Sequence, residues 1–337
     1  MQFRLAINGY GRIGRCILRA LYESSYQDKL KIVAINELAD IETIAHLTKY
    51  DSTHGRFQGT VRFENDTLFV NDDAIHVSSR EEIYGLPWAN HGVDVVLECT
   101  GAFTERQKAE QHIKCGAKKV IFSQPAEKNV DATVIYGVND DVLSKDDRVI
   151  SNASCTTNCI IPVLKTIDDE LGIDYGMITT IHSMMNDQPV IDAYHHHDLR
   201  RTRCSGNSII PVNTELAKGI GRIMPHLFGR FEALAMRVPV INVSAMDLTV
   251  TVNKDTTADG INSILKTAAR GRLENIMGYT EDPLASCDFN HDPRSCVVDL
   301  NQTRVSGTRV VKILAWFDNE WGYANRMLDT TLALMNA

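Results

Sequence analysis

The stretch FRLAINGYGRIG at residues 3–14 decides the predicted fold. Its first half is a short apolar run with the pattern of a buried strand, and an amphipathic, helix-like run follows the stretch. Gly9, Gly11 and Gly14 lie between the two in the spacing of a dinucleotide-binding turn. In that turn the three glycines allow a tight bend, close approach of a pyrophosphate, and close helix–strand packing. The alternative is that they serve packing alone.

A second strand-like run, at 30–36, is followed by an acidic residue in the position that binds a cofactor ribose. Glu37 lies 23 residues after Gly14, and its carboxylate suits the two ribose hydroxyls of NAD while repelling the 2′-phosphate of NADP. The backbone N–H groups of Arg12 and Ile13 would bind the pyrophosphate at the start of the helix. The pattern therefore predicts NAD as the cofactor, with a solvated strand end as the alternative for Glu37.

The hydrophobic pattern divides the chain into two regions. Through residue 153, strand-like runs alternate with helix-like ones, which indicates an α/β Rossmann-type, doubly wound parallel sheet. A long helix and several β-rich runs follow, which is typical of an α+β domain with a mainly antiparallel sheet. We therefore expect an NAD-binding domain at 1–153, on which a C-terminal helix at 319–337 packs, and a catalytic domain at 154–318.

The run SNASCTTNC at 151–159 places a thiol where a helical pattern begins. At a helix start, unpaired backbone N–H groups and the positive end of the dipole favour the thiolate of Cys155 and can bind an oxyanion. His182 ends a β-branched, strand-like run and is the candidate base for this thiol. Together they would form a nucleophile that attacks a carbonyl carbon. The alternative for Cys155 is a small buried core residue.

Charge and cysteine content exclude several classes of protein. The 337 residues carry a formal net charge of −8, which argues against broad affinity for nucleic acid or anionic membranes. No apolar run is long enough to span a bilayer, and the N-terminus begins with a strand pattern instead of a signal peptide. Eight cysteines are scattered through regular segments, which is typical of reduced thiols, so we expect a cytoplasmic protein.

Two local clusters have more than one interpretation. The basic run RRTR at 200–203 suits a bound phosphate or carboxylate, or else a salt-bridged surface or subunit contact. Cys155 and Cys159 stand four residues apart and histidines occupy 195–197, but no second Cys or His pair lies nearby in the sequence. We therefore predict no metal site, with Cys159 facing the core and the histidines facing solvent or a subunit contact.

Four features together carry a resemblance to a known family: NGYGRIGR at 8–15, ASCTTNC at 153–159, His182, and DNEWGYANRMLD at 318–329. On these the chain resembles the glyceraldehyde-3-phosphate dehydrogenase superfamily, from its first strand to its last helix. Further strings are similar to the erythrose-4-phosphate dehydrogenase branch; they are AINELAD at 34–40, KYDSTHGRF at 49–57, DAYHHHDLRRTR at 192–203, SIIPV at 208–212 and DFNHDP at 288–293. The resemblance also implies a homotetramer.

The resemblance implies a role for each candidate residue. Cys155 would attack an aldehyde to give a thiohemiacetal, and His182 would deprotonate the thiol and assist proton removal as hydride leaves. Implied cofactor contacts, beside those already given, are Arg80 near the adenine, Thr100 and Ser123 at the nicotinamide half, and Asn319 on the carboxamide. Implied substrate contacts are Ser154, Thr156, Arg201, Thr214 and Arg237.

Two positions in the substrate site depart from the triose enzyme of this family. Met185 stands where that enzyme has a phosphate-binding threonine, and Glu215 follows Thr214 where it has a glycine in the attacking-phosphate site. Methionine has no useful donor, and a carboxylate repels phosphate unless it turns away. Losing a charge-assisted hydrogen bond costs about 1.5–3 kcal/mol, which disfavours phosphate relative to water as the attacking group.

The resemblance and these departures lead to one expected activity and two alternatives. The expected activity is NAD-dependent oxidation of erythrose 4-phosphate to 4-phosphoerythronate, through a thioester on Cys155 that water cleaves. The resemblance places this product on the route to pyridoxal phosphate. One alternative is the phosphorylating glyceraldehyde-3-phosphate dehydrogenase of glycolysis. The other is a non-catalytic module that binds nucleic acid or a partner in the dinucleotide cleft.

Overall fold

The structure is a computed structural model that describes residues 2–195 and 198–337. The chain folds into two compact units, Met1–Ser154 with Tyr323–Ala337, and Cys155–Gly322. Among the described helices, none is both long and apolar enough to cross a membrane.

The first unit contains a sheet in which parallel strands alternate along the chain with helices. The strands are β1 (Phe3–Asn8), β2 (Leu30–Asn36), β3 (Tyr50–Asp51), β4 (Gly55–Arg56), β5 (Val61–Glu64), β6 (Thr67–Val70), β7 (Asp73–Ser78), β8 (Val95–Glu98), β9 (Lys119–Phe122), β10 (Ala132–Thr133) and β11 (Val149–Ser151). The helices are α1 (Arg12–Tyr22), α2 (Ile41–Lys49) and α3 (Arg106–Lys114). Described strands form one sheet in the order β10-β11-β9-β8-β1-β2-β7-β6-β5, and β3 pairs with β4 separately.

This sheet is parallel from β10 to β7, and the β7–β6 and β6–β5 pairings at one edge are antiparallel. Its central strand β1 is covered on both faces, since Leu5, Ala6 and Ile7 are all fully buried. Burial on both faces explains why these strands are continuous apolar runs instead of alternating ones. The carboxyl ends of β1, β2 and β8 therefore meet at one edge of the sheet, where a doubly wound fold binds its ligand.

The second unit combines helices with a seven-stranded sheet. Its strands are β12 (Ile173–His182), β13 (Ile210–Val212), β14 (Phe231–Arg237), β15 (Ser244–Val252), β16 (Met277–Thr280), β17 (Cys296–Ser306) and β18 (Val310–Phe317), in the order β13-β14-β12-β15-β18-β17-β16. The remaining helices are α4 (Cys155–Leu171), α5 (Leu216–Ile223), α6 (Ala258–Arg270) and α7 (Trp321–Asn336). Tyr323 and the residues after it belong to the first unit.

Four of the six strand pairs in the second sheet are antiparallel, while β14 runs parallel to β12 and β16 parallel to β17. Helices α4 and α6 pack against this sheet and against each other. Between β12 and β13 the described residues form no strand, only short 3₁₀ turns at Leu199–Thr202 and Ser205–Asn207. The predicted fold class, a doubly wound parallel sheet followed by a mainly antiparallel α+β unit, is confirmed.

The sequence pattern missed α5 and the short strands β10, β11, β13 and β16. Each of these elements spans eight residues or fewer, so it contains too few turns or alternations to give a clear period. Their positions are set by pairing: β13, for example, is held by its antiparallel register with β14.

Candidate active site

The glycine-rich turn joins β1 to α1 at the carboxyl edge of the first sheet. Gly9 has φ +88°, and a Cβ there would lie 2.6 Å from the backbone nitrogen of Thr100. A Cβ on Gly14 would lie 2.5 Å from the carbonyl oxygen of Gly9. At Gly11 no described atom beyond its two chain neighbours lies within 4 Å of the Cβ position. The first and third glycines are therefore required by the protein itself, and the open space at Gly11 fits the close approach of a pyrophosphate.

Glu37 lies directly after β2 and contacts the same turn. Its Oε2 accepts a hydrogen bond from the backbone N–H of Tyr10 at 2.7 Å, and its Oε1 accepts one from Leu38 at 2.7 Å. The side chain is half-buried. The carboxylate thus has a structural role in the turn in addition to the ribose contact predicted for it.

Arg12 begins α1, and its guanidinium binds Asp51 on β3, with Nη2 donating to Oδ1 at 3.2 Å. Burial alone would raise the pKa of Asp51, but hydrogen bonds from Arg12, His54 and Thr53 hold it well below its ordinary value. Because the side chain is engaged in this ion pair, the predicted cofactor contact of Arg12 is left to its backbone N–H. Asp51 was not identified from the sequence, since nothing in its spacing links it to α1.

A buried polar network connects the strand ends around this turn. The Asn36 amide donates to Asn8 Oδ1 at 2.8 Å, and the Asn8 amide donates to Glu98 Oε2 at 2.7 Å. Asn36 also bonds the backbone N–H and carbonyl of Arg80, at 3.0 and 2.8 Å. Glu98 accepts from the backbone N–H of Thr100 at 2.9 Å. The network fixes the strand ends and loops that carry the predicted cofactor contacts.

Glu98 is anchored from the other side by His112 of α3, 3.0 Å from its Oε2. Both side chains are almost fully buried, and the Nδ1 atom of His112 accepts from the indole N–H of Trp88 at 2.9 Å. The sequence analysis missed Glu98 and His112. A polar residue at the end of an apolar strand and another within a helix could have marked each of them as a candidate. That the two side chains pair is decided only by the fold.

The other predicted cofactor residues of the first unit lie at strand ends. Arg80 is exposed two residues after β7, Thr100 is exposed two residues after β8, and Ser123 is half-buried directly after β9. The backbone N–H of Ser123 donates to the carbonyl of Glu98 at 3.0 Å. Their side chains lie near one edge of the sheet, which is compatible with contacts to one extended ligand.

Cys155 is the first residue of α4 and is half-buried. Two residues earlier, Ala153 has φ +53°, a left-handed conformation that costs an L-residue of order 1–3 kcal/mol. Its carbonyl accepts a hydrogen bond from the Tyr323 hydroxyl at 2.8 Å, which helps to hold the turn. The left-handed residue turns the chain sharply after β11, so that the Cys155 thiol lies in the first turn of α4.

His182 is the last residue of β12 and lies beside this thiol. Its Nε2 is 3.9 Å from the Cys155 Sγ, and its Nδ1 donates to the carbonyl of Ser183 at 2.8 Å. Because the carbonyl can only accept, Nδ1 carries the proton and Nε2 presents a lone pair to the thiol. The structure therefore brings the predicted nucleophile and base together in the tautomer that base catalysis requires.

Burial favours the neutral forms of both Cys155 and His182. It raises the pKa of the Cys155 thiol to about 11, against the lowering effect of the backbone N–H groups of Thr156 and Cys155. It also lowers the pKa of His182 below its ordinary value of 6.5, against the raising effect of its bond to Ser183. The expectation that the helix start favours the thiolate is therefore outweighed by burial, and the resting pair is thiol and neutral imidazole.

Two of the predicted substrate arginines converge on one carboxylate. Arg237 ends β14 in register with His182 on β12, and its Nη1 donates to Asp187 and, at 3.2 Å, to Gln188. Arg201 donates to the other oxygen of Asp187 at 2.9 Å. Burial alone would raise the pKa of Asp187, but the two arginines lower it overall. The sequence analysis missed Asp187, because it lies in an irregular segment.

The remaining predicted substrate residues are spread over three segments. Ser154 and Thr156 flank Cys155 and are half-buried, and Thr214 precedes α5, where its hydroxyl accepts from the Leu216 N–H at 3.2 Å. Glu215 is exposed, and its carboxylate pairs with Lys218 at 2.7 Å. No described contact joins Thr214 or Glu215 to the Cys155–His182 pair, so their place in a common site is left as a proposal.

Asn319 lies between β18 and α7 and is buried. Its Oδ1 accepts hydrogen bonds from the hydroxyls of Ser183 and Ser244, both at 2.9 Å. Ser183 directly follows the candidate base, so the predicted carboxamide contact is tied to the same strand end as His182. Neither serine was identified from the sequence.

Cys159 and His195, which were considered as metal ligands, have hydrogen-bond partners within the protein. Cys159 is fully buried one turn along α4, and burial raises its pKa well above the ordinary value, with buried Cys296 as its hydrogen-bond partner. Of the three histidines, His195 accepts from the backbone N–H of Asp198 at 3.1 Å, while His196 and His197 lie outside the described residues.

Comparison with family models gives two matches along the chain. Residues 3–106 match the glyceraldehyde 3-phosphate dehydrogenase NAD binding domain, and residues 154–319 match the glyceraldehyde 3-phosphate dehydrogenase C-terminal domain. The first match includes the glycine-rich turn, Glu37 and Thr100, and it establishes NAD as the cofactor. The second includes Cys155 and His182. The chain therefore belongs to the glyceraldehyde-3-phosphate dehydrogenase superfamily and is an NAD-dependent oxidoreductase that acts on an aldehyde.

Proposed function

We propose that this protein oxidises erythrose 4-phosphate to 4-phosphoerythronate, a product on the route to pyridoxal phosphate. The observation that supports it most directly is the Cys155–His182 pair, with 3.9 Å between Sγ and Nε2 and the imidazole proton held on the opposite nitrogen. A thiol beside a neutral imidazole can form a covalent adduct with an aldehyde, which is the first requirement of the reaction.

In the proposed mechanism, His182 Nε2 accepts the Cys155 proton as Sγ bonds to the aldehyde carbon, which gives a thiohemiacetal. The backbone N–H groups in the first turn of α4 stabilise the developing negative charge on the aldehyde oxygen. His182 passes this proton to the aldehyde-derived oxygen and later accepts the hydroxyl proton of the thiohemiacetal as the carbon loses hydride, which gives a thioester. NAD, when bound, supplies the hydride acceptor. After His182 has released the hydroxyl proton to solvent, its Nε2 accepts a proton from water as the water oxygen bonds to the thioester carbon; the C–S bond then breaks, the acid leaves, and the proton returns to the Cys155 sulfur.

The arginine pair supports a phosphorylated substrate. Arg201 and Arg237 both pair with the carboxylate of Asp187 beside the strand end that carries His182, and Arg201 also lies 3.5 Å from Asp198. A phosphate dianion can bind both guanidinium groups in place of, or alongside, Asp187. Ser154, Thr156 and Thr214 are proposed to complete the substrate contacts with their hydroxyls.

The preference for erythrose 4-phosphate and for water rests on Met185 and Glu215. The Met185 side chain is 46% exposed and can donate no hydrogen bond to a phosphate. One observation favours the rival, phosphorylating activity on glyceraldehyde 3-phosphate: Glu215 pairs with Lys218 in solvent, so that its charge is partly neutralised. Its repulsion of an attacking phosphate is thereby weakened. The missing hydrogen-bond donor at Met185 is therefore the main support for water as the attacking group.

Initial rates with the two aldehydes separate these activities. We expect a higher kcat/KM for erythrose 4-phosphate than for glyceraldehyde 3-phosphate, with little change when inorganic phosphate is added. Faster oxidation of the triose with a strict requirement for phosphate would contradict the proposal and favour the phosphorylating reaction.

A pair of variants tests the two positions directly. Met185→Thr with Glu215→Gly should raise the phosphate-dependent rate by about 10- to 100-fold, the equivalent of one restored charge-assisted hydrogen bond. Met184→Thr, which changes the neighbouring methionine, is the matched control and should leave the phosphate dependence unaltered. Equal phosphate dependence in all forms would remove these residues from the explanation.

We also propose a cytoplasmic homotetramer. All eight cysteines lie in the described ranges and are free thiols, which suits a reducing compartment. On the second sheet, alternate residues of β12 leave Tyr175 and Met177 62% and 69% exposed, and Leu234 on the adjacent β14 is exposed as well. Large exposed apolar side chains on two neighbouring strands support a surface that a second copy covers.

A further inference from the structure

Ser183 connects the candidate base to the predicted cofactor contact. It follows the last residue of β12 and is fully buried. Its carbonyl accepts from His182 Nδ1 at 2.8 Å, and its hydroxyl donates to Asn319 Oδ1 at 2.9 Å. Ser183 therefore fixes the proton of His182 on Nδ1 and also provides a hydrogen-bond donor to the Asn319 amide oxygen.

Ser244, the first residue of β15, makes a second bond to the same amide oxygen. Its hydroxyl lies 2.9 Å from Asn319 Oδ1 and 3.1 Å from the backbone nitrogen of Ser183, whose N–H it accepts. Because one of its lone pairs already accepts this N–H, its own hydrogen is directed to the amide oxygen. Ser244 is as deeply buried as Ser183, so water does not replace either bond.

These two hydroxyls decide the orientation of the Asn319 amide. A rotation of the amide by 180° would place Nδ2 against both serines and leave two buried hydroxyl hydrogens without an acceptor among the described residues. Buried donors without acceptors are unfavourable, so Oδ1 stays on the serines and the N–H₂ group is turned away from them. Among the described residues Nδ2 has no hydrogen-bond partner, and it is left to donate to a ligand.

We propose that Ser183 and Ser244 are positioning residues that hold Asn319 as a donor to the carboxamide oxygen of NAD. The inference rests on the proposed contact between Asn319 and the carboxamide. Rotation of the nicotinamide about its glycosidic bond moves the carboxamide to the opposite side of the ring. A donor fixed on one side therefore selects which ring face receives hydride.

An NAD analogue tests the amide orientation through binding alone. In 3-acetylpyridine adenine dinucleotide, the carboxamide is replaced by an acetyl group, which keeps the carbonyl oxygen and lacks the N–H₂. If Asn319 donates to that oxygen, the wild-type protein should bind NAD and the analogue within about threefold of each other, measured by quenching of tryptophan fluorescence. A loss of more than tenfold for the analogue would mean that Asn319 accepts from the carboxamide, and would overturn the proposal.

The serine pair is tested with Ser183→Ala, Ser244→Ala and the double variant. Each should weaken binding of both dinucleotides equally, with the double variant at least tenfold weaker than wild type. Oxidation with [4-²H]NAD should then give NADH of mixed configuration at C4, whereas wild type gives a single isomer. A merely structural role would lower the rate without changing the isomer ratio, so a single isomer from the double variant would refute the positioning role.

Thr180→Val is the matched control, because Thr180 is a buried hydroxyl on the same strand that contacts Met246 sulfur instead of Asn319. It should keep wild-type affinity and one isomer. If the double variant does not fold, as judged by near-UV circular dichroism, the same isomer ratio measured on the two single variants decides the question. Asn319→Ala tests the carboxamide contact itself, and unchanged NAD affinity in this variant would refute that contact. The choice between the two aldehydes is tested independently, on the wild-type protein.

Discussion

The reactivity of Cys155 depends on two opposing effects on its thiol. The first turn of α4 supplies backbone N–H groups that stabilise a thiolate, while burial removes water that would do the same more effectively. Burial is the larger effect and raises the pKa to about 11, so the thiol is protonated near pH 7. Attack on an aldehyde therefore requires a proton acceptor at the moment of bond formation, and only His182 Nε2 is in that position among the described residues.

Replacing this acceptor is the sharpest test at the residue scale. His182→Asn should lower kcat/KM for aldehyde oxidation by roughly 10²–10⁴-fold, the usual contribution of a general base. The alkylation of Cys155 by iodoacetamide should also require higher pH, because no imidazole then accepts the thiol proton as the sulfur attacks. Mass spectrometry can follow Cys155 separately from the other seven cysteines.

His226→Asn is the control for this change, since His226 is a largely exposed histidine that pairs with Asp168. It should leave both the rate and the alkylation profile as in wild type. Identical alkylation profiles for His182→Asn and wild type would show that the imidazole does not activate the thiol.

Glu37 combines a structural contact with a proposed cofactor contact, and a suitable substitution separates the two. Glu37→Gln keeps an oxygen that can accept from the Tyr10 N–H but removes the negative charge. The ratio of kcat/KM for NAD to that for NADP should fall by about tenfold, because the 2′-phosphate is no longer repelled by a half-buried carboxylate. Glu42→Gln, in the first turn of α2, is the control. An unchanged ratio in Glu37→Gln would reject the ribose assignment.

At the scale of elements, two strand-to-helix turns carry the proposed chemistry. In the first, glycines allow β1 to pass into α1, and in the second the left-handed Ala153 lies between β11 and α4. Both turns end in a helix start, where backbone N–H groups have no partner within the helix and can bind negative charge. The same local geometry thus suits a pyrophosphate in one unit and a developing oxyanion in the other.

Alanine at two of the glycines should separate folding from cofactor binding. A Cβ at Gly14 meets the Gly9 carbonyl at 2.5 Å, so Gly14→Ala should destabilise the protein by about 1–3 kcal/mol and lower its melting temperature by several degrees. Gly11 has extended backbone, and no described atom beyond its chain neighbours lies within 4 Å of its Cβ position, so Gly11→Ala should melt as wild type yet bind NAD more weakly. Normal NAD affinity in Gly11→Ala would show that the cofactor does not approach this position closely.

At the scale of the whole molecule, the exposed sheet face of the second unit predicts association. Met177→Asp places a charge at the most exposed apolar position of β12, and burying an unpaired charge in an interface is costly. We expect light scattering to give a tetramer mass for wild type and a smaller assembly for this variant. Tyr84→Asp is the control, since Tyr84 is 86% exposed in the first unit. A monomeric wild type, or a variant of unchanged mass, would contradict the proposed interface.

Long elements and local motifs were predictable from the sequence, whereas their pairing was not. The strand-like run predicted at 30–36 coincides with β2, because its apolar residues are continuous and its boundaries are sharp. Cys155 and His182 were identified one by one, from a helix start and a strand end. Asp187 and the Glu98–His112 pair were missed, since charged or polar partners 14 and more residues apart leave no periodic signal.

The sequence by itself determined the order of the longer elements, the glycine-rich turn and the thiol at a helix start, because each depends on residues adjacent along the chain. Only the tertiary structure decided that imidazole and thiol lie 3.9 Å apart in neutral form, that two arginines share Asp187, and that two serines orient Asn319. Burial and hydrogen bonding arise when distant segments pack together, and these set the protonation states and side-chain orientations on which the proposed chemistry depends.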